Sequence, residues 1–305
     1  MTDPSRSDID VDLIVIHPQM PDWGPGRVLA VDGVKVTIYF RDIPGEHPED
    51  AIRVLNTGFV ALQPAIDQGD TFLRCLPPFG DGKFEHPLKK RVTLEESIEK
   101  FRSFYPLFFE DPKYRDDERD YKVAAHEHFE ELLGEGQLEQ LLSSGDIGEV
   151  TSRALSVESR VNLLAVFEKA AFRDGLRDEL GAGRFFAQLQ QILQSPAIEK
   201  ESFEAYIHAV ESLPSEEGKT SPVKWTVATI LPYLAQPDRF MFLKPEVTLD
   251  CAARFVFDLH YSPHPNWLTY SRLLEMSSRL QDYLLPYGAR DFIDVQSFIW
   301  VVGWE

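Results

Sequence analysis

Residues Trp23–Phe40 read WGPGRVLAVDGVKVTIYF. Val36, Ile38 and Phe40 fall on one side of an extended chain, and Lys35, Thr37 and Tyr39 on the other. A period of two, filled with β-branched and aromatic residues, predicts a strand over Lys35–Phe40. The apolar run Arg27–Val31 predicts its partner. Asp32-Gly33 between them is a hairpin turn dipeptide, because glycine takes positive φ without steric cost. Gly24-Pro25-Gly26 predicts a bulge or sharp bend where the chain enters Arg27–Val31.

Upstream, Val11–Ile16 predicts a further strand, ended by His17-Pro18. Downstream, Ala51–Leu55 and Phe59–Leu62 are short candidate strands around the turn Asn56-Thr57-Gly58. Five short strands within about fifty residues predict a small, strongly bent barrel. Trp23 has two readings. Its ring packs on the barrel edge and fixes the bend, or it is an exposed aromatic anchor for a partner, since interface hot spots favour Trp and Tyr. In the second case Tyr39 and Arg41, on the face opposite Ile38 and Phe40, are its neighbours in the partner-binding surface.

The residues His17-Pro18, Trp23–Val28 and Lys35–Phe40 together resemble a known pattern. It is similar to the SH3-like, Tudor-like barrels at the C-terminal ends of UvrD-like helicases, and more distantly to the CarD/transcription-repair-coupling-factor interaction module. The resemblance covers Val11–Pro64, about a fifth of the chain. It implies protein–protein contact, often with transcription or repair machinery, rather than catalysis. The acidic loop Asp42–Asp50 departs from the pattern.

At 305 residues the chain is long enough for two domains with a sizeable core. No run approaches the roughly 18 apolar residues that cross a membrane, and the polar, acidic start MTDPSRSDIDVD is not a secretory signal. Two cysteines far apart, Cys75 and Cys251, argue against a disulfide framework and for a cytoplasmic protein with reduced thiols. The formal charge is −19. Residues 1–70 hold 12 acidic and 5 basic side chains and the remainder 38 and 26, so the acidity is spread and is not a tail. It repels phosphate backbones at long range and favours a basic protein partner.

After about Pro77 the periodicity turns helical. Asp67–Pro87 reads as an irregular cover whose Phe72, Leu73, Leu76 and Phe79 pack rather than float. Thr93 and Glu96 form a capping box for a helix to about Tyr105. Further helices are predicted over Arg115–Leu133, Ile147–Leu155, Val161–Glu179 (with Leu164, Phe167 and Ala171 in one stripe), and Arg184–Leu193. Gly181 and Gly183 close the third of these. Another follows around Phe203–Val210. Ser212–Ser221 is the clearest loop. Beyond it come Trp225–Leu234, a helix capped by Thr248 and running to about Leu259, a long helix Trp267–Leu285 capped by Asn266, and an apolar helix Phe292–Val302 capped by Asp291. Trp225–Pro245 and Asp291–Val302 resemble patterns in uncharacterised bacterial proteins, a resemblance that carries no activity.

The chain lacks a P-loop, a G-x-G-x-x-G after a strand, a nucleophile elbow and an H-E-x-x-H. No cofactor motif is present, and none is expected. His126 and His128 point about 200° apart on a helix and do not chelate one metal; His260 and His264 flank a proline turn with too few further ligands. Residues 110–139 hold 11 acidic and 4 basic side chains, which reads as a solvated helix face or as an acidic docking face. Arg173 with Arg177 and Asp174 with Asp178 are like-charge neighbours that need outside partners. Against the acidic balance, Lys219–Pro245 holds Lys219, Lys224, Arg239 and Lys244 with Asp238 alone, interleaved with Trp225, Tyr233, Phe240 and Phe242. Cations among aromatics bind single strands by pairing phosphates and stacking bases. The plainer reading makes the aromatics core and the cations its rim.

The expected architecture is α+β: an SH3-like β-barrel over residues 1–70, a helical middle region over 71–214 and a C-terminal helical lobe over 215–305. The expected function is that of a non-enzymatic interaction or adaptor protein beside nucleic-acid machinery of transcription, repair or defence. Trp23, Tyr39 and Arg41 would contact the partner protein, and Lys224, Arg239 and Lys244 any nucleic acid. The rival expectation is a nucleic-acid-processing enzyme with its active site in the helical body; no catalytic residue is selected by the sequence.

Overall fold

The computed structural model describes residues 9–44, 48–74, 76–84, 92–215, 220–255 and 257–303. Contacts divide the chain into two compact units, Met1–Glu96 with Ala252–Asp258, and Ser97–Cys251 with Leu259–Glu305. The first holds a small antiparallel sheet and the second is helical, so the class is α+β.

The sheet runs in the order β4-β3-β2-β1-β5. Its strands are β1 (Ile14–Ile16), β2 (Pro25–Asp32), β3 (Lys35–Phe40), β4 (Ile52–Asn56) and β5 (Gln63–Pro64). Asp32 pairs with Lys35, so the hairpin loop is Gly33-Val34, one residue later than the turn dipeptide predicts. The register shifts between Val28 and Ala30, so the bulge sits at Leu29 and not in the Gly-Pro-Gly segment. Gly24 instead makes the sharp entry: its φ is +67°, and a Cβ there would stand 2.1 Å from an oxygen of Asp42.

The strand predicted over Phe59–Leu62 does not form. The amides of Phe59 and Val60 both donate to the Asn56 carbonyl, and Gly58 N–H donates to the Asn56 side chain. The turn consumes the donors a ladder would need, and pairing with β1 resumes only at Gln63 and Pro64.

Both faces of the sheet carry apolar clusters. Val15, Val28, Val36, Ile38, Phe40 and Leu62 form one, as the alternation in β3 requires. Ile14, Leu29, Tyr39, Ala51, Leu73 and Leu76 belong to the other. The cover over this second face is the segment of α1 (Thr71–Arg74), β6 (Phe79–Gly80) and β7 (Lys83–Phe84), whose Phe72 and Phe84 rings lie 6.0 and 6.3 Å from Tyr39.

The helical unit contains the remaining elements. They are α2 (Leu94–Phe104, begun in the first unit), α3 (Pro112–Tyr114), a π-helical turn Arg115–Arg119, α4 (Asp120–Leu133), α5 (Gln137–Ser144), α6 (Ile147–Glu158), α7 (Val166–Gly175), α8 (Glu179–Gln194) and α9 (Lys200–Glu211). Then follow α10 (Trp225–Ala235), α11 (Pro245–Arg254), α12 (Trp267–Leu284) and α13 (Phe292–Gly303). The capping box holds: Thr93 N–H donates to Glu96 Oε2 at 2.8 Å and Glu96 N–H to Thr93 Oγ1 at 3.2 Å. Asn266 accepts from Thr269 N–H at 3.0 Å, and Asp291 Oδ1 from the amides of Ile293 and Asp294.

Three predicted helix limits move. The helix expected over Val161–Glu179 starts at Val166, which leaves Phe167 exposed at its first turn rather than in a core stripe. Gly181 and Gly183 lie inside α8, because Asp178 caps that helix by accepting from Gly181 N–H at 2.7 Å. Thr248 is interior to α11, which opens instead at Pro245 and ends at Arg254. Proline at the first helical position needs no N–H partner there.

Among the described residues two helices are buried over most of their length. Every residue of α10 is buried, and α13 is buried from Phe292 through Ile299. Helices apolar all round belong in a core.

Candidate functional site

In the β-module, Trp23 is partly exposed. Its indole packs on His17 and Phe40, each 5.1 Å away between ring centres, and the Arg53 guanidinium lies over it at 5.4 Å. Tyr39 is not its neighbour on an open surface: only 3% exposed, it belongs to the second cluster. Strand alternation puts it opposite Ile38 correctly, but the cover segment buries that face too. Arg41 is partly exposed and is bound to Asp70 at 2.5 Å and to Asp42 at 3.0 Å. Burial alone would lower the guanidinium's pKa; the bonds to Asp42 and Asp70 outweigh it and hold the value above the ordinary one.

The basic stretch before α11 is likewise placed. Lys224 is exposed at the start of α10. Arg239 donates to the Leu193 and Ser195 carbonyls at 3.1 and 2.6 Å, so it closes the C-terminus of α8. Lys244 donates to the Leu163 carbonyl at 3.0 Å. Trp225, Tyr233, Phe240 and Phe242 are all at most 2% exposed and offer no face for base stacking. Lys219 lies outside the described residues. The like-charge run resolves locally: Arg177 pairs with Asp174, and Glu168 caps α7 through Ala165 N–H while accepting from Thr226 Oγ1. His126 donates to the Leu234 carbonyl, and His264 meets Glu211 at 2.6 Å. Among the described residues no three His, Cys, Asp or Glu side chains converge on a metal position.

A second locus in the helical unit was not legible from motifs. The π-helical turn carries Glu118 into the interior, where it binds Lys122 Nζ at 2.9 Å. Lys122 is 1% exposed and also donates to Ser297 Oγ at 2.8 Å. Burial pushes its pKa below the ordinary lysine value, against the pull of Glu118. One turn earlier on α13, Asp294 collects Arg119, Arg290 and the Tyr114 hydroxyl. Burial raises the Tyr114 pKa well above its ordinary value, and the charge of Asp294 adds to it.

Beside this knot is a cavity of about 60 Å³, bordered by Glu118, Tyr121, Lys122, Lys244, Gln296 and Trp300. Gln296 is 2% exposed, and its Oε1 has no hydrogen-bond partner. Inserted π turns occur often at functional sites. The signal in the sequence was the trio Asp294, Gln296 and Ser297 inside an otherwise apolar helix.

Residues 13–64 match a family model described as a protein of unknown function (DUF3553). That match marks the small sheet domain and leaves the helical unit unmatched. No curated protein and no solved structure matches the chain. Among the described residues, no helix is long and apolar enough to cross a membrane.

Proposed function

We propose that the protein is a non-enzymatic interaction protein whose β-module contacts a protein partner of nucleic-acid machinery. The observation that carries this reading is the partly exposed Trp23, held between His17, Phe40 and Arg53. A ring already fixed by packing loses little freedom on binding, which is what makes aromatic side chains good anchors. The adjacent β4 pairs only with β3 among the described strands and exposes Val54 by 64%, so a partner strand has an edge to meet. The net charge of −7 over residues 1–70 favours a basic partner segment. The likeness to Tudor-like barrels supports the choice of machinery.

The test is affinity capture from a native lysate with the full chain and with Trp23→Ala, each with and without nuclease. Nuclease-resistant proteins retained by the wild type and lost with Trp23→Ala are expected. Capture that survives the substitution, or that disappears with nuclease, overturns this reading.

One observation favours the rival, a nucleic-acid-processing enzyme: Glu118, Lys122 and Lys244 border one cavity in the helical body. Cleavage of oligonucleotides by purified protein, abolished by Glu118→Gln, would establish it.

A further inference from the structure

We propose that the cavity between the π-helical turn, the approach to α11 and α13 binds a small 2-hydroxycarboxylate. The charges at its wall do not cancel within the protein. Glu118 is neutralised by Lys122 at 2.9 Å, and Asp117 is paired with Lys113 at 3.1 Å. Among the described residues Lys244 has no carboxylate partner: its contacts there are the Leu163 carbonyl and the face of Trp300, 5.9 Å from the ring centre. A carbonyl occupies one of its three N–H groups. The Tyr121 hydroxyl also makes no hydrogen bond among the described residues, and this ring borders the same space. An uncompensated ammonium and a free hydroxyl donor are the partners a carboxylate takes.

Gln296 defines the rest of the ligand. Its amide, 2% exposed, borders the cavity with Oε1 unpaired. A buried acceptor without a donor is costly, and a ligand hydroxyl removes that cost. An amine would serve less well, because its positive charge would stand beside Lys244, whereas Lys122 is already balanced by Glu118. A volume of about 60 Å³ suits a small ligand, so the class proposed is that of glycolate.

The test is titration calorimetry on the full chain with glycolate, acetate, glycine and sodium chloride at matched ionic strength. Glycolate is expected to bind, roughly fivefold more tightly than acetate because it adds one hydrogen bond, and more tightly than glycine. Gln296→Leu should bring glycolate to the acetate level and leave acetate unchanged. Tyr121→Phe, which keeps the ring and the fold, should weaken both acids equally. No carboxylate binding to the wild type at roughly 10 mM overturns the proposal. So does equal affinity for glycolate and acetate, or a response to sodium chloride of the same size. If Gln296→Leu fails to fold, Tyr121→Phe decides alone: unchanged carboxylate affinity in that variant overturns the site.

Discussion

Arg119 and Asp294 meet at 2.7 Å, and Asp294 is wholly buried when they do. The same carboxylate accepts from Tyr114, 180 residues earlier in the chain, and from Arg290. Arg119 continues to Asp291 at 2.6 Å. The π-helical turn and the start of α13 are thereby tied through one fully buried anion. Removing one partner of a buried pair leaves its counter-charges uncompensated. Asp294→Ala is therefore expected to cost about 3–5 kcal/mol of stability, read as a lower urea midpoint. Tyr114→Phe, which removes only a neutral donor to that charge, should cost about 1.5–3 kcal/mol.

The helical unit should unfold in alkali through its tyrosines. Tyr114, Tyr206, Tyr233 and Tyr270 are buried, and burial raises the pKa of each hydroxyl above its ordinary value. A raised folded-state pKa gives stability that is complete below the unfolded value of about 10 and is lost as pH climbs from there through the folded pKa. Tyrosinate absorbance from these four should therefore rise together with the loss of helical circular dichroism. Ionisation of all ten tyrosines before any unfolding would contradict this.

Gly24 and Gly33 both have positive φ, but only Gly24 is crowded. Gly33 faces open space, whereas a Cβ at Gly24 would strike the Asp42 carboxylate. Its ψ of −167° also lies where residues with a side chain rarely go. Gly24→Ala should cost about 1–3 kcal/mol and visibly more than Gly33→Ala, measured by calorimetry of the full chain.

Replacing Lys224, Arg239 and Lys244 together by Gln should destabilise the protein, chiefly through Arg239. That side chain closes two carbonyls at the end of α8, and losing such bonds costs about 1–3 kcal/mol. Lys224→Gln alone should leave the melting temperature unchanged. Any effect of the triple variant on single-strand binding is interpretable only beside its melting curve.

The elements were far more legible than the surfaces they leave open. Strand alternation located Val36, Ile38 and Phe40 in one cluster, and the capping residues Thr93, Asn266 and Asp291 located helix starts, because both signals act within a few residues. Tyr39 takes the face that the period of two assigns, but that period does not say whether a later segment covers the face. Phe72 and Phe79 carried the hint. Gly181 looked like a stop because local propensity counts glycine against a helix, whereas the Asp178 cap and close packing decide. The polar cavity was hidden by a different cause. Residues 110–139 are so acidic that Glu118 read as one more solvated charge, and only the extra residue of the π turn brings it inward.

Helix α10 packs against α4, α6, α7 and α8, and not one of its residues reaches water. It cannot shed one neighbour and remain half-covered, so its amide protons have no route to solvent by local fraying. Deuterium should enter Ala228–Leu231 only when the whole helical unit opens. The slowest amides in the chain would then report the global free energy directly, while those of α2 and α5, with solvent along one side, exchange through smaller openings.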